Sequence, residues 1–146
     1  MSYQFGNRSK TKLASCHPDL QLIAEESLKV SMVDFGVSEG HRSVEKQLEY
    51  FNTGKSKIDG IKIKGKHNYQ PSMAFDYYAY VKSKPKLAFN TTYLVYLGGV
   101  ITAVANRLLN EGRISHKVRW GANFDRDNEI LEQSFDDTPH IEIEKT

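Results

Sequence analysis

Residues 73–81 read Met73-Ala74-Phe75-Asp76-Tyr77-Tyr78-Ala79-Tyr80-Val81. Aromatic and small residues alternate here, which predicts a strand. Asp76 is the anomaly. A carboxylate inside an apolar strand is costly unless it is paired or bound to a cation. The fold must therefore deliver partners to Asp76, and the flanking sequence shows where they can come from.

Upstream, residues 54–72 hold Lys55, Lys57, Lys62, Lys64 and Lys66 against a single acid, Asp59. Gly54, Gly60, Gly65 and Pro71 punctuate the stretch, which predicts a long surface loop with a hairpin at Ile61 to Lys64. Long loops in compact domains are more often functional than idle. Before the loop, Ser43 is placed to cap a helix whose Val44, Leu48 and Phe51 form one stripe, with Asn52-Thr53-Gly54 as its end. Asp34 to Gly40 predicts a short strand. His17-Pro18-Asp19 marks a helix start, followed by Leu20, Ile23, Ala24 and Leu28 at helical spacing.

Downstream, Asn90 or Thr91 starts a third helix with Leu94, Leu97, Ile101, Val104 and Leu108 on one face, and Gly112 closes it. Gly98-Gly99 inside it predicts close packing rather than a phosphate loop. Val118 to Gly121 and His140 to Glu144 predict strands joined by an acidic loop. The order α-β-α-loop-β-α-β-loop-β implies an α+β fold, a small and largely antiparallel sheet packed against about three helices.

With 146 residues the chain fits one domain, expected to span 1–146 with no separate second domain. Apolar residues at 39% are enough for a core, which excludes whole-chain disorder. Cys16 is the only cysteine, which excludes a disulfide scaffold. A net charge of +2 is too small to imply nucleic acid. Met1 to Gly6 lacks the apolar stretch of a signal peptide, and Tyr93 to Ala105 is shorter than the roughly 20 residues that span a bilayer. A soluble product made in the cytoplasm is expected, and no transmembrane segment.

Five histidines are present: His17, His41, His67, His116 and His140. His17, His41 and His116 have the context of caps, turns and surface. His67 precedes Asp76 by nine residues, and His140 follows Asp137 by three. Two histidines and an aspartate suit zinc, leaving its fourth position for water. Asp137 or Glu142 could take that water's proton. A satisfied polar cluster is the alternative on spacing alone. In the last strand, His140, Glu142 and Glu144 share one face, and Ile141 and Ile143 the other.

At these residues the chain resembles the zinc peptidoglycan peptidases of the VanY-type D-alanyl-D-alanine carboxypeptidase group, whose fold is also hedgehog-like. It is most similar to the small L-alanyl-D-glutamate endopeptidases that tailed phages use as endolysins. The similarity is carried by Phe5-Gly6-Asn7-Arg8-Ser9, by Gly40-His41-Arg42-Ser43, and by Lys66-His67 with Ala74-Phe75-Asp76. It continues in Arg119-Trp120-Gly121 and in Asp137-Thr138-Pro139-His140-Ile141-Glu142. The resemblance implies His67, Asp76 and His140 as zinc ligands and Asp137 as general base. It implies that Arg42 binds the substrate carbonyl and the oxyanion formed from it. Gly65 stands where the family usually has Ser, and the His67–Asp76 gap is two residues longer than usual.

The implied activity is endolytic cleavage of peptidoglycan between L-alanine and D-glutamate, to lyse the bacterial host. A monomer is expected, made in the host cytoplasm and acting on the periplasmic wall after release. The near alternative is a D-alanyl-D-alanine carboxypeptidase of the same fold. The distant one is a nucleic-acid-binding module using the lysine loop and Tyr69, Tyr77, Tyr78 and Tyr80. Oxygen-bearing residues alternate from Asn123 to Glu129, so a calcium ion at 123–129 is a further expectation, although a calcium loop's glycine and terminal Glu are missing.

Overall fold

The computed structural model describes residues 3–61, 64–130 and 137–146. The alternating stretch at 73–81 forms strand β2 (Ala74–Ala79). It lies between β1 (Phe35–Glu39) and β4 (His140–Lys145), and β3 (His116–Trp120) closes the other edge. All three pairings are antiparallel. Among the described residues the helices are α1 (Asn7–Ala14), α2 (Pro18–Val30), α3 (Val44–Asn52) and α4 (Thr91–Asn110). The α+β expectation is met, with four helices rather than about three.

One face of the sheet is the core. Phe35, Val37, Phe75, Tyr77, Ile141 and Ile143 are buried with Leu20, Ile23 and Leu28 of α2 and Leu97, Ile101 and Leu108 of α4. Burying each large aliphatic side chain stabilises the fold by roughly 1.5–3 kcal/mol. Tyr77 is fully buried, and its hydroxyl donates to the Leu94 carbonyl at 2.7 Å. It therefore has no free face for stacking on a base. Helix α4 is long and apolar enough to cross a membrane, with a mean hydropathy of 1.3. Here its apolar stripe packs on the sheet and on α2. Gly98 lets the Trp120 indole lie directly on α4, where a Cβ would overlap the ring, whereas Gly99 faces open space.

Periodicity misses α1, since Asn7-Arg8-Ser9-Lys10-Thr11-Lys12 is polar. The helix packs along edge strand β1, and Ser9 Oγ accepts the Val37 N–H at 3.0 Å. Helix α3 starts at Ser43, whose hydroxyl accepts from Lys46 N. Its apolar stripe does not enter the core: Val44 and Phe51 are exposed, and Gln47 is the residue buried. Of the hairpin expected at Ile61 to Lys64, Lys62 and Ile63 lie outside the described residues, as do residues 131–136 of the acidic loop.

Helix α2 begins at Pro18, and His17 Nδ1 accepts the Asp19 N–H at 3.0 Å. Asp19 Oδ2 accepts from Ser115 N at 3.0 Å and lies 2.8 Å from His116 Nδ1. This clamp ties the start of α2 to the start of β3. Partial burial pushes the Asp19 carboxyl up, but the bonds from His116 and Ser115 outweigh it and hold the group below the usual carboxylate range. A carboxyl depressed in the folded state adds stability above its unfolded pKa of about 3.9, and that stability is lost as pH falls through the folded value. Asp19→Asn should therefore cost roughly 0.5–2 kcal/mol at pH 7. The gap to wild type should close towards pH 2, as read by urea denaturation at both pH values. A gap that persists unchanged in acid would show that the charge contributes nothing.

Candidate metal centre

Strand register places the first two candidate ligands. Asp76 of β2 pairs directly with His140 of β4, and on its other side with Glu39 of β1. The third comes from the loop. A short 3-10 turn at Lys66–Asn68 carries His67, and backbone bonds fix it: Arg42 N donates to the His67 carbonyl at 2.8 Å, and Met73 N to the Lys66 carbonyl at 2.9 Å. The longer turn is held at its far end, where Ser72 N donates to the Ser15 carbonyl and His17 N to the Ser72 carbonyl. Asp76 thus returns to His67 despite the two extra residues.

His67 Nε2 and His140 Nδ1 each lie 3.2 Å from Asp76 Oδ1. Ligand atoms of the three residues all fall within 4.8 Å of one another. The other ring nitrogens are engaged. His67 Nδ1 lies 2.7 Å from the Gly40 carbonyl, which can only accept. His140 Nε2 lies 2.9 Å from Glu142 Oε1, and Arg119 holds the second Glu142 oxygen at 2.9 Å. With protons fixed on those outer nitrogens, the two inner nitrogens, which bond Asp76 here, are the ones that would give up their protons to an ion. This is the outer-shell pattern of metal-binding histidines. Two imidazoles and a carboxylate fit a divalent ion such as zinc.

Burial would raise the Asp76 carboxyl, but the charge of His67 and the bonds from His140 and His67 hold it far below its usual range. Burial lowers His140, yet its bonds to Asp76 and Glu142 prevail and the ring is pushed up to about 10. Asp137 Oδ2 stands 3.8 Å from His140 Nδ1, beside the three ligand atoms without joining them. Burial, then the negative Asp76, push the Asp137 carboxyl up. Arg42 is buried and bonds Glu39 through Nε and Gln47 Oε1 through Nη1 at 2.8 Å. Its Nη2 lies 3.8 Å from Asp76 Oδ2. All five candidate residues line one open cleft of about 660 Å³.

Several supporting residues escape sequence reasoning. Trp120 Nε1 donates to the Thr138 carbonyl at 2.7 Å, and the Tyr77 hydroxyl shares its proton between the Leu94 carbonyl and this oxygen, 3.0 Å away. They pin the turn between Asp137 and His140. Asp137 N donates to the Gly121 carbonyl at 3.1 Å. Asn68, also buried, donates to the Arg42 carbonyl at 3.0 Å and accepts from Gly65 N at 2.8 Å. The Trp120-Gly121 pair was the visible signal; its role needed the fold.

The remaining expected groups lie elsewhere. His41 is half-buried and takes no part in the centre. His17, Asp19 and His116 also converge within 4.8 Å. His17 Nδ1, Asp19 Oδ2 and His116 Nδ1 are the atoms engaged in capping α2 and tying it to the start of β3. In the loop 123–129, Asn123, Asp125 and Asp127 turn oxygens to the N–H groups of Asn128, Asp127 and Glu129. Those bonds make local turns, and the loop is not among the metal-ligand groups found in the described residues. Cys16 is buried, which pushes its thiol up to about 12 and makes it a poor nucleophile.

Three candidate ligand atoms with a further carboxylate beside them suit a hydrolytic metal centre better than a closed structural one. The family model described as phage L-alanyl-D-glutamate peptidase matches residues 1–144, and the chain belongs to that family. The crystal structure of Serratia marcescens L-Ala D-Glu endopeptidase ChiX aligns with a TM-score of 0.67 at 26% identity, over 97% of this chain and 90% of that one. The L-alanyl-D-glutamate peptidase of Escherichia phage T5 is 31% identical over 84 residues, or 58% of this chain. That match spans 59% of the phage T5 protein's length.

Gly121 generates a test of this geometry. A Cβ there would overlap the Asp137 carbonyl and come within 3.1 Å of His140 Cβ. Gly121→Ala should destabilise the fold by about 1–3 kcal/mol. It should also weaken zinc binding, because the turn carrying His140 must move. Urea denaturation and zinc titration check both, and wild-type values in both would refute the contact.

Proposed function

We propose that the chain is a zinc-dependent endopeptidase that hydrolyses the L-alanyl–D-glutamate bond of peptidoglycan stem peptides, a phage endolysin that lyses the bacterial host. The convergence of His67, Asp76 and His140, with Asp137 beside them, carries the reading. The family to which the chain belongs supplies the bond. On this reading the protein acts as a monomer, made in the host cytoplasm and working on the periplasmic wall after release.

His67 Nε2, Asp76 and His140 Nδ1 would hold the ion. Bound zinc supplies a lowered pKa for water and polarisation of a carbonyl. Asp137, 3.8 Å from His140 Nδ1 and not itself among the ligand atoms, is positioned to take the proton of the attacking water and pass it to the departing D-glutamate amine. Arg42 Nη2, with its other donors fixed by Glu39 and Gln47, is placed to hydrogen-bond the oxyanion that forms on the L-alanyl carbonyl. Gly40 and Glu142 keep the two imidazoles in the tautomers that binding requires.

His67→Ala, Asp76→Ala and His140→Ala should each lose zinc and lytic activity together. Asp137→Asn should keep zinc and lose roughly 10²–10⁴-fold in turnover, the usual effect of removing a general base. Arg42→Lys should lose turnover too, since lysine cannot reproduce the planar fork. Metal analysis and the products released from purified muropeptides check all five. An Asp137→Asn protein without zinc would make Asp137 a ligand, and release of D-alanine alone would indicate the carboxypeptidase.

A further inference from the structure

The cleft extends from the metal centre along α3 and the loop behind it, where Lys55, Lys57, Lys64 and Lys66 contribute to its lining. Its acids are already engaged. Glu39 faces Arg42 and Lys46; Asp76 faces His67 and His140; Glu142 faces His140 and Arg119; Asp137 faces His140. Lys66 Nζ donates to the Ile143 carbonyl at 3.0 Å.

Lys55 and Lys64 differ. Both are exposed, and among the described residues neither pairs with a carboxylate. Each ammonium instead rests against a tyrosine ring, Lys55 at 5.6 Å from the Tyr50 centroid and Lys64 at 4.5 Å from that of Tyr69. Such a contact positions the ammonium without neutralising it. Tyr50 also joins Lys55 to the centre: Arg42 Cζ lies 4.6 Å from the same ring, and Arg42 reaches towards Asp76. One ring and one guanidinium thus separate Lys55 from the metal ligands. The result is an unneutralised cationic rim on a cleft where a peptide would lie.

We propose that Lys55 and Lys64 form a carboxylate subsite for the residue on the leaving side of the scissile bond. This rests on the endopeptidase reading above. In the stem peptide, D-glutamate continues through its γ-carboxyl, so its α-carboxylate is free one carbon from the scissile nitrogen. On the acyl side, L-alanine is joined through its amine to a lactyl carbonyl and carries no anion. A cationic subsite therefore matches the leaving side.

The test compares two soluble peptides that are identical except for D-glutamate or D-isoglutamine after L-alanine. Exposed ion pairs contribute about 0.2–1 kcal/mol each. Wild type should therefore favour the carboxylate peptide by roughly two- to thirtyfold in kcat/KM, carried by KM, and the preference should shrink in high salt. In the Lys55→Gln/Lys64→Gln protein, with zinc content and melting checked, the ratio should fall to about one. A wild type without preference, or a preference that survives the double substitution, would overturn the subsite. Equal losses on both peptides would also overturn it, as the mark of general steering. A wild type that cleaves neither peptide would overturn the endopeptidase reading and the subsite with it.

Discussion

The pairing of Asp76 with His140 across the two central strands is the constraint on which the rest depends. Side chains alternate with a period of two, so a slip of one residue would move His140 to the opposite face and leave Asp76 without it. The same slip would swap Ile141 and Ile143, both fully buried, with His140 and Glu142. Core and site therefore demand one register. The apolar face fixes β4 through burial, and the polar face inherits its geometry. Asp76 is tolerable in an otherwise apolar strand because this register always supplies an imidazole beside it.

Around that pair the protein spends buried polar groups on orientation. Glu142 lies in the strand with Arg119 across from it, and the two hold His140. Gly40, at the end of β1, holds His67. The Thr138 carbonyl takes bonds from both Trp120 and Tyr77. Breaking one such contact leaves a buried group unsatisfied, at a cost of about 1–3 kcal/mol. These groups are satisfied only in the arrangement that also aims the ligand atoms inward. Loss of a supporting residue is thus a loss of aim as well as of stability.

The elements legible in the sequence were those with strong local signals. The strand at 73–81, the capped helices at Pro18, Ser43 and Asn90, and the apolar face of α4 all follow from periodicity and caps. The candidate ligands were legible because Asp76 is out of place in its strand and because the closing Asp137-x-x-His140 element resembles a family pattern. Helix α1 was not legible: its sequence is polar, and its contribution is a single serine facing β1 and one buried leucine. The stripe of α3 misled for the opposite reason, since amphipathic spacing cannot say which face will be buried. Glu142 read as a secondary candidate because its partner Arg119 arrives from a different strand. Gly121 and Trp120 were visible only as a motif, and their reason is a backbone contact more than a dozen residues away.

The site is built from two kinds of material. His140 and Asp76 sit on strands locked by the hydrophobic core. The facing wall, α3 and the loop after it, is held through Gln47, which accepts from Arg42 and donates to Ser56 and to the Ile58 carbonyl. Few apolar contacts support that wall, and segments held in this way open at lower free energy than core strands. On the proposed reading, the division suits hydrolysis of a polymer. The ligands must stay within tenths of an ångström, whereas the wall that meets the peptide must admit and release it. It also explains how the His67–Asp76 turn could lengthen without moving the metal centre. His67 is anchored to Gly40 and Arg42 at one end and Ser72 to Ser15 and His17 at the other, so the extra residues need not shift either candidate ligand.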